Sequence, residues 1–177
     1  MDKKKLKMVL LASPWTEPVK TEKHQDKLWH FYFTTYSWWI VILAAALHAT
    51  TYIPYKSSAV TDGAFALSFG VLLVGTLISC DWGNKVSNIW NFSNLLTHIF
   101  PFLCIFAVVL KYPTPIAPLW KTIILACLPP LMYDFAYGDR SEKLYQAQSP
   151  HSERKFMMPI LGCAIVGGIF FRSFIGR

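Results

Sequence analysis

Charged side chains are scarce in this chain. They make up 15% of its 177 residues, where a soluble globular domain carries about 25%. From Val86 to Leu110 there is no Asp, Glu, Lys or Arg across 25 residues. That run rules out a solvated surface helix there and argues against an ordinary soluble domain. Cysteines are few and unpaired. Cys80, Cys104, Cys127 and Cys163 each stand in or beside a separate apolar run, which fits neither zinc-ligand spacing nor a secreted disulfide framework. There is no glycine-rich phosphate loop, no His-Glu-x-x-His and no Cys-x-x-Cys motif. His48 and His98 come from the first and third spans, expected to be neighbouring helices, but at different depths, so a bis-histidine haem is not expected. No cofactor and no metal is expected. Internal repeats and low-complexity segments are absent.

What remains is 54% hydrophobic and 16% aromatic, with a net charge of +7. Seven of the 17 basic residues precede residue 30, outside the apolar runs. A basic tail beside a membrane sets orientation or touches anionic lipid, so nucleic acid is not expected as a partner. The start, MDKKKLKMVLLASPW, has too short an apolar core for a secretory signal, which needs about 7 to 15 residues. Residues 1–28 therefore read as an uncleaved basic tail docked on a surface or a partner. Residues 29–177 read as an all-α, multi-pass transmembrane bundle.

Five spans are expected, over 29–53, 63–80, 86–110, 116–137 and 156–175. With five spans, twelve of the basic residues fall on the side of the N-terminus and five on the other. That bias puts the N-terminus inside. Most tryptophans fall near span ends, as interfacial anchors do. In the fourth span Pro129 and Pro130 predict a kink or unwinding. In the fifth, Gly162, Gly167 and Gly168 predict close helix approach.

The third span is expected to be central. Ser87, Asn91, Asn94 and His98 recur at helical spacing, which makes one polar face that must be hidden from lipid. His98 lies near mid-span, where an ionisable residue is either functional or satisfied by structural partners such as the carbonyl that faces Pro101. On the first span Thr34, Ser37, His48 and Thr51 share a side. Their hydroxyls have an ordinary alternative, bonding to the carbonyl one turn back. Asp134, near the inner end of the fourth span, is placed to pair with a basic inner residue, to reach His98 through water, or to stay solvated near the interface.

The segments FTTYSWWIVILAAAL, NFSNLLTHIFPFL and LWKTIILACLPPLMYDFAYG resemble successive helices of the androgen-induced-gene family of polytopic membrane proteins, over roughly residues 30–140. Some members hydrolyse fatty-acid esters of hydroxy fatty acids with an intramembrane threonine and histidine. The resemblance implies Thr34 or Thr35 as nucleophile and His98 as base, with Asn94 or Asn91 holding the histidine or donating to an oxyanion. The chain departs from the family pattern in having Thr97 before His98, a closer proline and five spans rather than six.

Two functions follow. The first is a non-catalytic accessory subunit of a larger membrane complex, energy-transducing and in the mitochondrial inner membrane rather than the endoplasmic reticulum. Its partners would be other membrane subunits and lipids. The second is an intramembrane lipid-ester hydrolase using Thr34 or Thr35 with His98, supported by a polar face of Ser87, Asn91, Asn94 and Asp134.

Overall fold

A computed structural model describes residues 33–50, 58–148 and 153–175. The N-terminal tail, the start of the first expected span and Thr51 lie outside the described residues. Among the described residues every regular element is helical. Helix α1 is Phe33–Thr50, α2 Ser58–Ser79, α4 Leu119–Gln148 and α5 Arg154–Ile175. Between α2 and α4 runs a rod of three consecutive pieces, Phe92–Asn94, Leu95–Ile99 and Phe100–Lys111, together α3.

The central helix is α2, not the rod built from the 86–110 run. It touches α1, α3, α4 and α5, and every residue from Thr61 to Ser68 is buried. A helix buried all round belongs in the core. Its small residues make this possible. A Cβ at Gly70 would fall 2.8 Å from Ile165 Cγ1 of α5, and one at Gly63 2.9 Å from Leu125 Cβ of α4. Helices α2 and α5 run antiparallel: Asp62, Ala66 and Gly70 meet Arg172, Gly168 and Ile165 in turn. Of the three glycines expected to serve close packing, Gly168 does so, its would-be Cβ lying 2.9 Å from Ala66 Cα. Gly162 has nothing within 4 Å of that position.

The 86–110 run is not one continuous helix. Residues Val86–Trp90 form a 3-10 turn, and Asn91 is extended at φ −64°, ψ 133°. The carbonyl of Asn91 accepts from the Leu95 amide at 2.9 Å, which makes Asn91 the N-cap of α3, a position asparagine favours. Ser87 and Asn91 are exposed rather than buried on a polar face. Absence of charge showed that this stretch is uncharged, but Ser and Asn compete for backbone bonds and end helices. Upstream, Asp81 and Trp82 take φ of 48° and 54° and Gly83 takes 101°, a tight reversal out of α2. Asn88 Nδ2 then donates to the Ser79 carbonyl at 2.9 Å, satisfying one acceptor at the end of α2.

Helix α4 continues unbroken through Pro129 and Pro130. The prolines withhold amides from the carbonyls of Leu125 and Ala126, and α2 comes close there, a Cβ at Gly63 falling 2.9 Å from Leu125 Cβ. Trp38, expected among the anchors, is buried with its ring 5.7 Å from Phe100. Two helices, Ala59–Ser79 and Arg154–Ile175, are long and apolar enough to cross a membrane by length and composition, and Phe33–Leu47 and Leu95–Lys111 are shorter apolar helices.

Candidate functional site

His98 sits where α3 changes register. Over Leu95–Ile99 the helix takes π-type bonding, with the Phe100 amide donating to the Leu95 carbonyl five residues back. The wider turn falls directly before Pro101, which has no amide to give. Such single π-turns often occur at functional sites. Thr97 and His98 are both buried there.

The imidazole is held firmly. Asn94 Oδ1 lies 2.7 Å from His98 Nδ1, and Asn94 Nδ2 donates to the Ile89 carbonyl at 3.0 Å. The second bond fixes which way the amide faces. Its oxygen can only accept, so Nδ1 carries the proton and, in the neutral ring, Nε2 carries the basic lone pair. Thr97 Oγ1 lies 3.3 Å from the same Nδ1. The ring packs against the backbone of α2 at Gly75, where an added Cβ would fall 2.6 Å from His98 Cγ. Gly75 is therefore part of the site.

His98 lines a cavity of about 60 Å³ with residues from all five helices. One water needs about 10 to 15 Å³ measured this way, so the space holds a few waters or a slender segment of chain. Its walls are mainly apolar, from Val71, Val74 and Ile78 of α2 and Met157 and Leu161 of α5. From α1 comes Thr34. The Thr34 hydroxyl is buried and has no hydrogen-bond partner among the described residues. Thr35 is also buried but is not among the lining residues. Ser37 does what a helical serine ordinarily does, donating to the Thr34 carbonyl at 2.8 Å. Thr34 does not; the hydroxyls of Thr76 and Thr122 are likewise unpartnered, and of these three threonines it is Thr34 that lines the cavity.

Asp134 and Arg154 complete the lining. They form a bidentate pair, Nε to Oδ1 at 2.6 Å and Nη2 to Oδ2 at 2.7 Å. The guanidinium lies over Gly138, one turn on from Asp134, where a Cβ would come 2.5 Å from Arg154 Cζ. Their side chains are 23% and 39% exposed, while Thr34 and His98 are 4% and 2% exposed. The lining is therefore sealed at Thr34 and His98 and partly open at the ion pair.

Of the residues read from the sequence, the fold brings Thr34, Asn94, His98 and Asp134 to this cavity or its first support. Ser87 and Asn91 lie on the connecting segment outside it. The side chain of His48 lies outside the described residues.

A second polar centre was not foreseen as a pair. Arg172 Nε donates to Asp62 Oδ1 at 2.7 Å, and Asp62 Oδ2 accepts from the Ala117 amide at 2.8 Å. Arg172 Nη2 donates to the Thr114 carbonyl at 3.1 Å. The two side chains are 3% and 1% exposed. One sequence signal was present: each is a lone charge inside an apolar run, which calls for an opposite charge. Among the described residues no three His, Cys, Asp or Glu side chains are grouped to hold a metal ion.

Compared with known proteins, the chain matches no family model, no curated protein and no solved structure.

Proposed function

We propose that this chain is a polytopic membrane protein that acts on a lipid ester inside its own bundle. The membrane part is supported by the reversed distribution of polarity. Thr34, Asp62, Asn94, His98 and Arg172 are buried, while Phe135, Phe174, Phe170 and Trp39 are 94%, 78%, 71% and 63% exposed. The outward residues form stripes. On α4, Trp120, Ile124, Leu128, Leu131 and Phe135 are exposed at helical spacing. From Trp120 to Phe135 the stripe covers about 22 Å at about 1.5 Å per residue, most of the thickness of a hydrocarbon core. Apolar stripes of this length on several helices are foreign to a monomer in water. Lys111 and Lys121 sit over the rings of Tyr112 and Trp120 at the far end, as interfacial pairs do. The N-terminus, 81–91 and 139–153 would then share the inner side.

The catalytic part is carried by one observation: the unpartnered, buried hydroxyl of Thr34 opens on the same cavity as a histidine whose proton is placed on Nδ1. In this reading Nε2 of His98 accepts the Thr34 proton as the hydroxyl oxygen attacks an ester carbonyl. The imidazolium then returns that proton to the departing alkoxide, and the alcohol leaves. Water, activated by the same Nε2, hydrolyses the acyl-threonine and releases the acid. Asn94 stabilises the imidazolium through Nδ1. Thr34 and His98 are not hydrogen-bonded to each other, so substrate must draw the hydroxyl inward, as happens at sites whose bonds tighten only in the complex. The test is hydrolysis of a fluorogenic acyl ester by the protein in nanodiscs. Thr34→Val and His98→Ala should each abolish turnover with folding intact, and unchanged turnover in either refutes the assignment.

The outward stripes also favour a second reading, a non-catalytic subunit of a larger membrane complex, of the energy-transducing kind in the mitochondrial inner membrane. Protein neighbours would cover the stripes in place of lipid. Native mass after mild solubilisation separates the two: a monomer with esterase activity supports the first, a stoichiometric inert assembly the second.

A further inference from the structure

Two ion pairs among the described residues, Asp62–Arg172 and Asp134–Arg154, differ in one respect that bears on ligand binding. Asp62–Arg172 is sealed, and both partners have additional bonds to the loop before α4. Asp134–Arg154 is half open and forms the mouth of an apolar cavity. Arg154 is also the first residue of α5. If α5 spans the bilayer, its first residue stands at headgroup depth. The mouth thus presents a fixed carboxylate beside a fixed guanidinium, at the level of lipid headgroups, above a slot lined by methionine and aliphatic side chains.

We infer that the Asp134–Arg154 pair is a headgroup site selective for zwitterionic single-chain lipids, with the lipid cation beside Asp134, its phosphate or carboxylate beside Arg154, and its chain in the cavity. A lone anion reaching Arg154 meets the repulsion of Asp134, and a lone cation reaching Asp134 meets that of Arg154. A zwitterion closes a square of alternating charges without breaking the bidentate pair. Met157 and Met158 line the same cavity, and their flexible thioethers accommodate chains of varied shape. This inference rests on the cavity of the reading above but not on chemistry at Thr34.

The test is direct binding in maltoside micelles, read by native mass spectrometry. Four amphiphiles of equal chain length are compared: lysophosphatidylcholine, lysophosphatidic acid, monoacylglycerol and an alkyltrimethylammonium. The wild type should prefer the zwitterion by about tenfold, the scale of one charge-assisted bond. Asp134→Asn should move the preference to lysophosphatidic acid, and Arg154→Gln to the alkylammonium. Arg154→Lys keeps the cation and should keep the ranking at weaker affinity. Glycerophosphocholine, a headgroup without a chain, should bind at least about tenfold more weakly than the lipid; equal binding overturns the lipid assignment. A wild type indifferent to headgroup overturns the proposal, as does an unchanged ranking in both charge-removing variants, the result expected of a purely structural ion pair. Should a variant fail to fold, the wild-type ranking alone decides. Release of fatty acid is followed separately. Headgroup selectivity without hydrolysis removes the hydrolase reading and leaves this one, and hydrolysis without selectivity does the reverse.

Discussion

Replacing Arg172 with Met tests whether the sealed ion pair holds the bundle together. The substitution removes the donors to Asp62 Oδ1 at 2.7 Å and to the Thr114 carbonyl at 3.1 Å. Asp62, 1% exposed, then keeps the Ala117 amide and loses its counter-charge. Breaking a buried pair from one side costs about 3–5 kcal/mol, because the remaining charge is stranded. Asp62→Leu strands Arg172 in the same way and should cost a similar amount. The double variant removes both charges together. It leaves only the Ala117 amide and the Thr114 carbonyl short of partners, at about 1–3 kcal/mol for such a buried group. With two such groups the double variant should lose about 2–6 kcal/mol, close to either single one, where simple addition would give about 6–10 kcal/mol. Reversible unfolding in maltoside micelles at neutral pH measures all four corners of the cycle. Single losses under about 1 kcal/mol, or additive losses, would refute the reasoning.

Gly168→Ala places a Cβ 2.9 Å from Ala66 Cα; backbone cannot yield as a side-chain tip does, so α2 and α5 must part and stability should fall by about 1–3 kcal/mol. Gly162→Ala, on the same helix with nothing within 4 Å, should instead gain about 0.5–1 kcal/mol from helix propensity; the same unfolding assay fails the packing account if the two agree in sign. Gly75→Ala puts a methyl against the His98 ring and should cut ester turnover at least about tenfold in nanodiscs, while wild-type turnover would show that the ring need not lie there. Cys163 is exposed but faces lipid in the membrane reading, so a water-soluble maleimide should leave it unlabelled in vesicles. Ser87→Cys, on the exposed connecting segment, should label once its side of the membrane is accessible. Rapid labelling of Cys163 in intact vesicles would place that face in water. Cys80, just past α2, is buried and burial pushes its thiol up, so it too should stay unlabelled at neutral pH.

Much of the site was legible because polar residues in apolar runs are conspicuous. His98 and Asn94 stood out as a pair one turn apart on one face, and the structure finds them bonded at 2.7 Å. Thr34 stood out on the first apolar helix, though nothing in its spacing separated it from Thr35. The distinction came from the cavity, because a wall is made by several helices together. Ser87 and Asn91 were misread for a physical reason. Periodicity assigns a face only where the helix is continuous, and the backbone turns extended at Asn91.

By itself the sequence determined the helical class and the order of the apolar rods, since these follow from local periodicity. Tertiary structure decided which rod is central, that Gly75 makes room for an imidazole, and that Asp62 finds Arg172 across 110 residues. Those choices depend on the close fit of surfaces from different parts of the chain. A periodic pattern specifies the face that is buried, but the partner it meets is set by packing.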